Sequence, residues 1–179
     1  MKDVHFYKDV IDGKKTVPLK IIDIGLDMET EDRVLNYAFE KFAEVASEND
    51  AKLLDEYLKG DVNVYSIKKF LAIRTIGEIG GGDYENKMKD FFYSGNKVLS
   101  SIALSSLCEM YSRNVLSRSM RVDFQQTMLS LIHNDKSASE DVIECYLALK
   151  RGEYEDFDEI FSNLKEKNPE AAYLVEKWS

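Results

Sequence analysis

Two prolines, two cysteines, two histidines and one tryptophan are all this 179-residue chain holds of those residue types. Scarce proline leaves room for uninterrupted helices, because proline removes a backbone donor and breaks helix interiors. Cys108 and Cys145 have no C-x-x-C companion, so no zinc site is signalled. The expectation is two buried free thiols, since disulfides are rare in reducing compartments. His5 and His133 stand far apart with no accompanying motif, and His133 reads as a helix-terminal residue. Neither G-x-S-x-G, H-E-x-x-H nor a Cys/His nucleophile pattern is present. The expectation is therefore a chain that is not an enzyme, with no catalytic residue, cofactor or metal ligand to assign. No apolar run approaches the ~18 residues of a membrane span, and Met1-Lys2-Asp3-Val4-His5 lacks a signal-peptide apolar stretch. A cytoplasmic protein with no membrane partner is expected.

Basic residues are also in deficit. Lysine and arginine number 24 against 33 aspartates and glutamates, a formal charge of −9. Residues 1–90 carry −5, residues 91–134 carry +2 and residues 135–179 carry −6. Nucleic-acid affinity rests on Lys and Arg contacts to phosphate, so direct nucleic-acid binding is not expected. The same field would speed encounter with a basic protein.

What the chain has in abundance is apolar periodicity. Hydrophobic residues make up 44% and charged residues 32%, which excludes wholesale disorder and describes one well-buried domain. Ile67, Leu71, Ala72, Ile73, Ile76 and Ile79 match Val98, Ile102, Ala103, Leu104, Leu107 and Met110 at a constant offset of 31 residues. A further copy, Tyr37-Ala38-Phe39 with Phe42, Ala43 and Val45, lies upstream. Between them, the segment from Lys52 to Gly60 parallels that from Lys87 to Gly95 at an offset of 35, the difference being the Asp61–Val64 insertion. The unit is a short helix, a glycine stop, a long helix and a turn. Ala72, Ala103 and Gly77 fall where neighbouring helices must approach closely.

Here the chain resembles the HEAT/armadillo-like class. Ala72-Ile73-Arg74-Thr75-Ile76-Gly77-Glu78-Ile79-Gly80 is similar to the second helix of a HEAT repeat and its exit turn. The resemblance covers roughly residues 30–150 and implies an all-α, right-handed α-α superhelix of stacked helix pairs. On this reading residues 1–179 form one domain: an arm or cap over 1–28, repeats over 30–150, and an acidic cap over 153–179.

Along the chain, residues 1–28 admit three readings: a hairpin across Asp12-Gly13, an irregular arm, or a short helix from Pro18 to Gly25. The preferred one is a short segment covering the first repeat. Helices are expected from Thr30 as N-cap to about Ser47, from Asn49 or Asp50 to Gly60, and from Tyr65 to Ile79. Gly80-Gly81-Gly82 reads as a flexible turn with Asp83 as the next N-cap; it lacks the G-K-[ST] ending of a phosphate loop. Asn96 should cap a helix from Lys97 to Tyr111. Arg113, Arg118 and Arg121 then form the one basic cluster, read as a solvated loop pairing with acidic helices. Helices follow over Val122–Ile132 and from the capping-box pattern Ser137-Ala138-Ser139-Glu140 to Lys150. Tyr154, Phe157, Phe161 and Leu164 share one face of an acidic helix. Asn168-Pro169 opens the last helix, whose Ala172, Val175 and Trp178 are expected to cap the stack.

The expected function is a non-catalytic protein-binding module. In size and charge the chain resembles bacterial toxin-immunity proteins, and that resemblance implies an inhibitor that binds and neutralises a basic domain, for example a nuclease toxin. A general HEAT-like adaptor or assembly scaffold is the alternative, and a small-ligand binder or enzyme the third reading. Candidate partner contacts are Asp55, Glu56, Asp61, Glu78, Asp83, Glu85 and Asp90, acids on or beside the helices and turns of the repeat.

Overall fold

A computed structural model describes residues 3–17, 30–134 and 136–179, which form helices joined by turns and loops, with no strand among the described residues. The first helix, α1 (Val4–Ile11), begins where the Asp3 carboxylate accepts the Phe6 N–H at 2.9 Å. It ends at Ile11 with Asp12 as C-cap, and the chain turns away at Gly13, whose φ of 77° is open to glycine at no cost. The Asp12-Gly13 turn therefore stops a helix, and no hairpin forms there. Tyr7, Val10 and Ile11 are buried at helical spacing, which outweighs the strand-like Val4-His5-Phe6-Tyr7. The Pro18–Gly25 helix of the sequence reading lies outside the described residues.

Next come α2 (Thr30–Val45), a 3-10 helix over Glu48–Leu58, α3 (Ile67–Ile79) and α4 (Glu85–Phe92). The rest are α5 (Lys97–Ser112), α6 (Arg118–His133), α7 (Ser139–Arg151), α8 (Phe157–Lys167) and α9 (Pro169–Trp178). They pack in order. The first helix of each pair lies on the second: α1 on α2, the 3-10 helix on α3, α4 on α5, α6 on α7, α8 on α9. The second helices then follow one another, α2 against α3, α3 against α5, α5 against α7 and α7 against α9. The buried side chains from Tyr7 to Val175 form one contiguous cluster.

Burial on several sides explains the composition of α3 and α5. Each is packed by helices before, behind and beside it, so Leu71, Ala72, Ile73 and Ile76 are buried, as are Ala103, Leu104, Leu107 and Met110. The outermost members of the repeat depart from the pattern. Val98 and Val45 are 51% and 44% exposed because they sit at helix ends. α3 and α5 approach each other closely at Gly77, where a Cβ would stand 2.6 Å from Ser106 Cα. Ser106 Oγ in turn lies 2.9 Å from the Ile73 carbonyl oxygen.

Several boundaries differ from the sequence reading. Glu48–Leu58 is 3-10 rather than α; Ala51 and Leu54 bury at the three-residue spacing that a 3-10 turn stacks. Its cap is Ser47, whose N–H and Oγ–H both donate to Asp50 Oδ2, at 2.8 and 2.7 Å. Thr30 is the first helical residue of α2. Asp83 caps nothing: it sits in a short 3-10 turn, Gly82–Tyr84, ahead of α4. The glycine turn is tightly packed, since a Cβ at Gly80 would lie 2.7 Å from the Ile76 carbonyl oxygen and one at Gly82 2.8 Å from that of Val115. Close contact, not flexibility, requires glycine there. Ser137 to Glu140 forms no capping box, and α7 starts at Ser139 without a side-chain cap. Asn96 and Asn168 do cap, Asn96 Oδ1 accepting from Val98 and Leu99 and Asn168 Oδ1 from Ala171.

Candidate functional site: an acidic row across the second helices

Each of α2, α3, α5 and α7 has a stripe of partly or fully exposed polar residues. On α2 it holds Asn36 and Glu40, and on α3 Arg74 and Glu78, in each case four residues apart. On α5 it is Ser101, Ser105 and Glu109, and on α7 Asp141, Glu144 and Arg151. Cross-helix contacts put these stripes side by side. Arg74 donates to Asn36 Oδ1 at 3.2 Å and stands 3.8 Å from the carboxylates of both Glu40 and Glu78. Ser101 Oγ meets Asp141 Oδ1 at 3.4 Å, and Arg151 lies 3.8 Å from Glu109. Ser105 stands near enough to Glu144 to pull its carboxyl down.

The row has more negative than positive charge: Glu40, Glu78, Glu109, Asp141 and Glu144 against Arg74 and Arg151. Its electrostatics show it. Burial pushes the Glu78 carboxyl above the usual range; Glu109 and Glu40 add to the rise and Arg74 opposes it. Glu144 is raised first by burial, with Glu109 and Asp141 adding, while Ser105 and Arg151 pull it down. Asp141 is raised by burial, against the Ser101 hydrogen bond. These carboxyls are half-sheltered and mutually repelling.

Of the seven candidate contacts, Glu78 alone lies in this row. Asp55 faces Lys87 at 3.7 Å, and its neighbouring carboxylate adds to burial in raising the Tyr84 phenol. Glu56 pairs with Lys8. Asp61 Oδ1 accepts the Asn63 N–H at 2.8 Å, closing a turn. Glu85 accepts the N–H and Oγ–H of Ser117, both at 2.8 Å, tying α4 to the start of α6. Asp83 and Asp55, with Lys52 and Lys87, line a cleft of about 340 Å³ beside the glycine turn. Asp90 is exposed on α4. The sequence reading missed Glu40, Arg74, Glu109, Asp141, Glu144 and Arg151. The signal for α5 was present: Ser101, Ser105 and Glu109 recur every four residues along a helix that is otherwise largely apolar.

The arginine cluster is not a solvated loop. α6 begins at Arg118, capped by Ser117 Oγ accepting the Met120 N–H at 3.3 Å. Arg113 donates to the Gly77 carbonyl at 2.8 Å. Arg121 donates to the carbonyls of Tyr111 and Gly152, at 2.7 and 2.8 Å, and stacks over the Tyr111 ring at 3.9 Å. Both cations satisfy carbonyl groups at helix C-terminal ends, where the dipole favours them.

Cys108 and Cys145 are buried free thiols, and the neighbouring Cys145 together with burial holds the Cys108 thiol well above its ordinary range. His133 Nδ1 lies 2.7 Å from the Leu129 carbonyl oxygen at the end of α6. Among the described residues no three His, Cys, Asp or Glu side chains group to hold a metal, and no helix is long and apolar enough to cross a membrane. Comparison with protein-family models, curated proteins and solved structures returned no match.

Proposed function

We propose that this chain is a non-catalytic protein-binding module whose second helices form the concave face of a right-handed, HEAT-like superhelix and hold a basic partner there. The observation that supports this is the acidic row, in which Glu78, Asp141 and Glu144 have their carboxyls raised by burial and by neighbouring acids. Placing a cationic surface on such a row relieves repulsion that the free protein carries, so part of the binding energy is already stored in the site. The most specific form of the reading is an immunity-type inhibitor that neutralises a basic toxin domain such as a nuclease. The net charge of −9 favours fast, steered encounter with it.

The adaptor alternative has its own observation. Val64, Tyr65 and Tyr93 are exposed on two loops joined by Asn63, whose Oδ1 accepts the Gly95 N–H at 2.6 Å, and Val98 is exposed at the start of α5 beside them. That edge suits a partner that is not basic.

A pull-down from the native host, run with the wild-type chain and a Glu78→Lys/Glu109→Lys/Glu144→Lys variant, separates the two. The proposal expects a basic protein held by the wild type, released by salt and lost from the variant. A partner retained by both baits at high salt would favour the adaptor and sink the acidic-row reading.

A further inference from the structure

Trp178 was expected to cap the stack, yet it is 52% exposed. It forms one wall of a groove of about 520 Å³ between α7 and α9. Ile143 and Leu147, one turn apart on α7, make the floor, being 9% and 6% exposed. Leu174 and Trp178, one turn apart on α9, make the opposite side. Glu140 and Glu144 edge the groove on α7 and Glu170 edges it on α9. Its lining side chains are acidic or uncharged, and the cation Arg151 donates to the Trp178 carbonyl at 2.8 Å at one end.

We propose that this groove receives an amphipathic, cationic helix of the partner protein. The inference rests on the protein-binding reading above and deepens it by naming what the partner presents. Charge complementarity selects the occupant. An apolar trough with carboxylates along both edges matches a helix with an apolar stripe flanked by Lys or Arg. Apolar side chains one turn apart on each wall match the one-turn spacing of such a stripe. A large, half-exposed tryptophan beside leucines is the type of side chain that dominates helix-in-groove binding. A second copy of this chain is a poor occupant, because it would bring an acidic rim and a net charge of −9 against the same signs. The groove is continuous with the acidic row, because Glu144 belongs to both.

Trp178 is the single tryptophan, so its emission reports the groove alone. The probe is a peptide of about 18 leucines and lysines with leucine at i, i+3, i+4 and i+7 spacing. Its control has the same composition with the leucines scrambled. Both are titrated at low salt into the wild type, a Leu174→Lys variant, and a Glu140→Lys/Glu170→Lys variant altered only at exposed side chains. The amphipathic peptide is expected to shift Trp178 emission to shorter wavelength and to bind the wild type roughly tenfold or more tighter than the control, with each variant losing on the order of tenfold. Equal binding of both peptides with unmoved emission would overturn the groove assignment and leave the acidic-row reading standing. No binding of either would overturn both. An emission shift that follows protein concentration without peptide would identify a second copy as occupant and overturn the assignment to a partner helix.

Discussion

Asp12 is 14% exposed at its side chain and sits among Lys8, Lys14 and Tyr57. Burial raises its carboxyl, but hydrogen bonds from Lys14, Lys8 and Tyr57 outweigh that and hold it far below the usual range. A carboxyl depressed in the folded state stabilises above its unfolded pKa, and that stability is lost as pH falls towards the folded pKa. Asp12→Asn should thus cost about 1–3 kcal/mol at neutral pH, since Lys8 loses a charged acceptor, and less in acid. Urea unfolding of both proteins across acid and neutral pH checks it. The raised acids of the row behave in the opposite sense. Their folded-state pKa lies above the unfolded one, so their stabilising share is present below the unfolded pKa and lost as pH rises through the folded value. Glu78→Gln and Glu144→Gln should raise the melting temperature at neutral pH and leave it nearly unchanged in acid. A loss of stability at neutral pH in both variants would contradict the repulsive row.

At the scale of elements, the crossing of α3 and α5 depends on a missing Cβ. Gly77→Ala should destabilise by about 1–3 kcal/mol through overpacking against Ser106, read as a shift in the urea midpoint with unchanged slope. Asn96→Ala, which strips the α5 cap and its link to the Asn63 carbonyl, should cost about 1 kcal/mol. α3 and α5 were legible in the sequence because their apolar residues repeat with one offset, and α9 because Asn168-Pro169 is an unambiguous start. Helix starts set by a lone serine were harder: Ser117 caps α6 five residues before Val122, where the apolar pattern begins. Arg113 and Arg121 could not be placed, since their acceptors are carbonyls at Gly77, Tyr111 and Gly152. Sequence shows the donor but not which helix end will face it.

The whole molecule explains why the acidic row was nearly invisible. Asp55, Glu56 and Asp61 stand out in the sequence because they lie near the repeat boundaries, yet their neighbours Lys87, Lys8 and Asn63 already engage them. Glu78 and Glu109 are the single acids of α3 and α5, and they group with Asp141 and Glu144 only when α3, α5 and α7 lie side by side. Net charge signals an excess of acids, and the packing of the second helices brings Glu78, Glu109 and Glu144 into one row. The proposal that these acids bind a basic surface is tested most directly by stopped-flow association of the chain, across ionic strength, with the basic protein that the pull-down is expected to recover. Wild type should associate fast at low salt and slow steeply towards ~0.15 M, where screening shortens to about 8 Å. Glu78→Gln/Glu109→Gln/Glu144→Gln should start slower and show a flatter salt dependence. Equal rates for the two proteins, with no response to salt, would contradict the account.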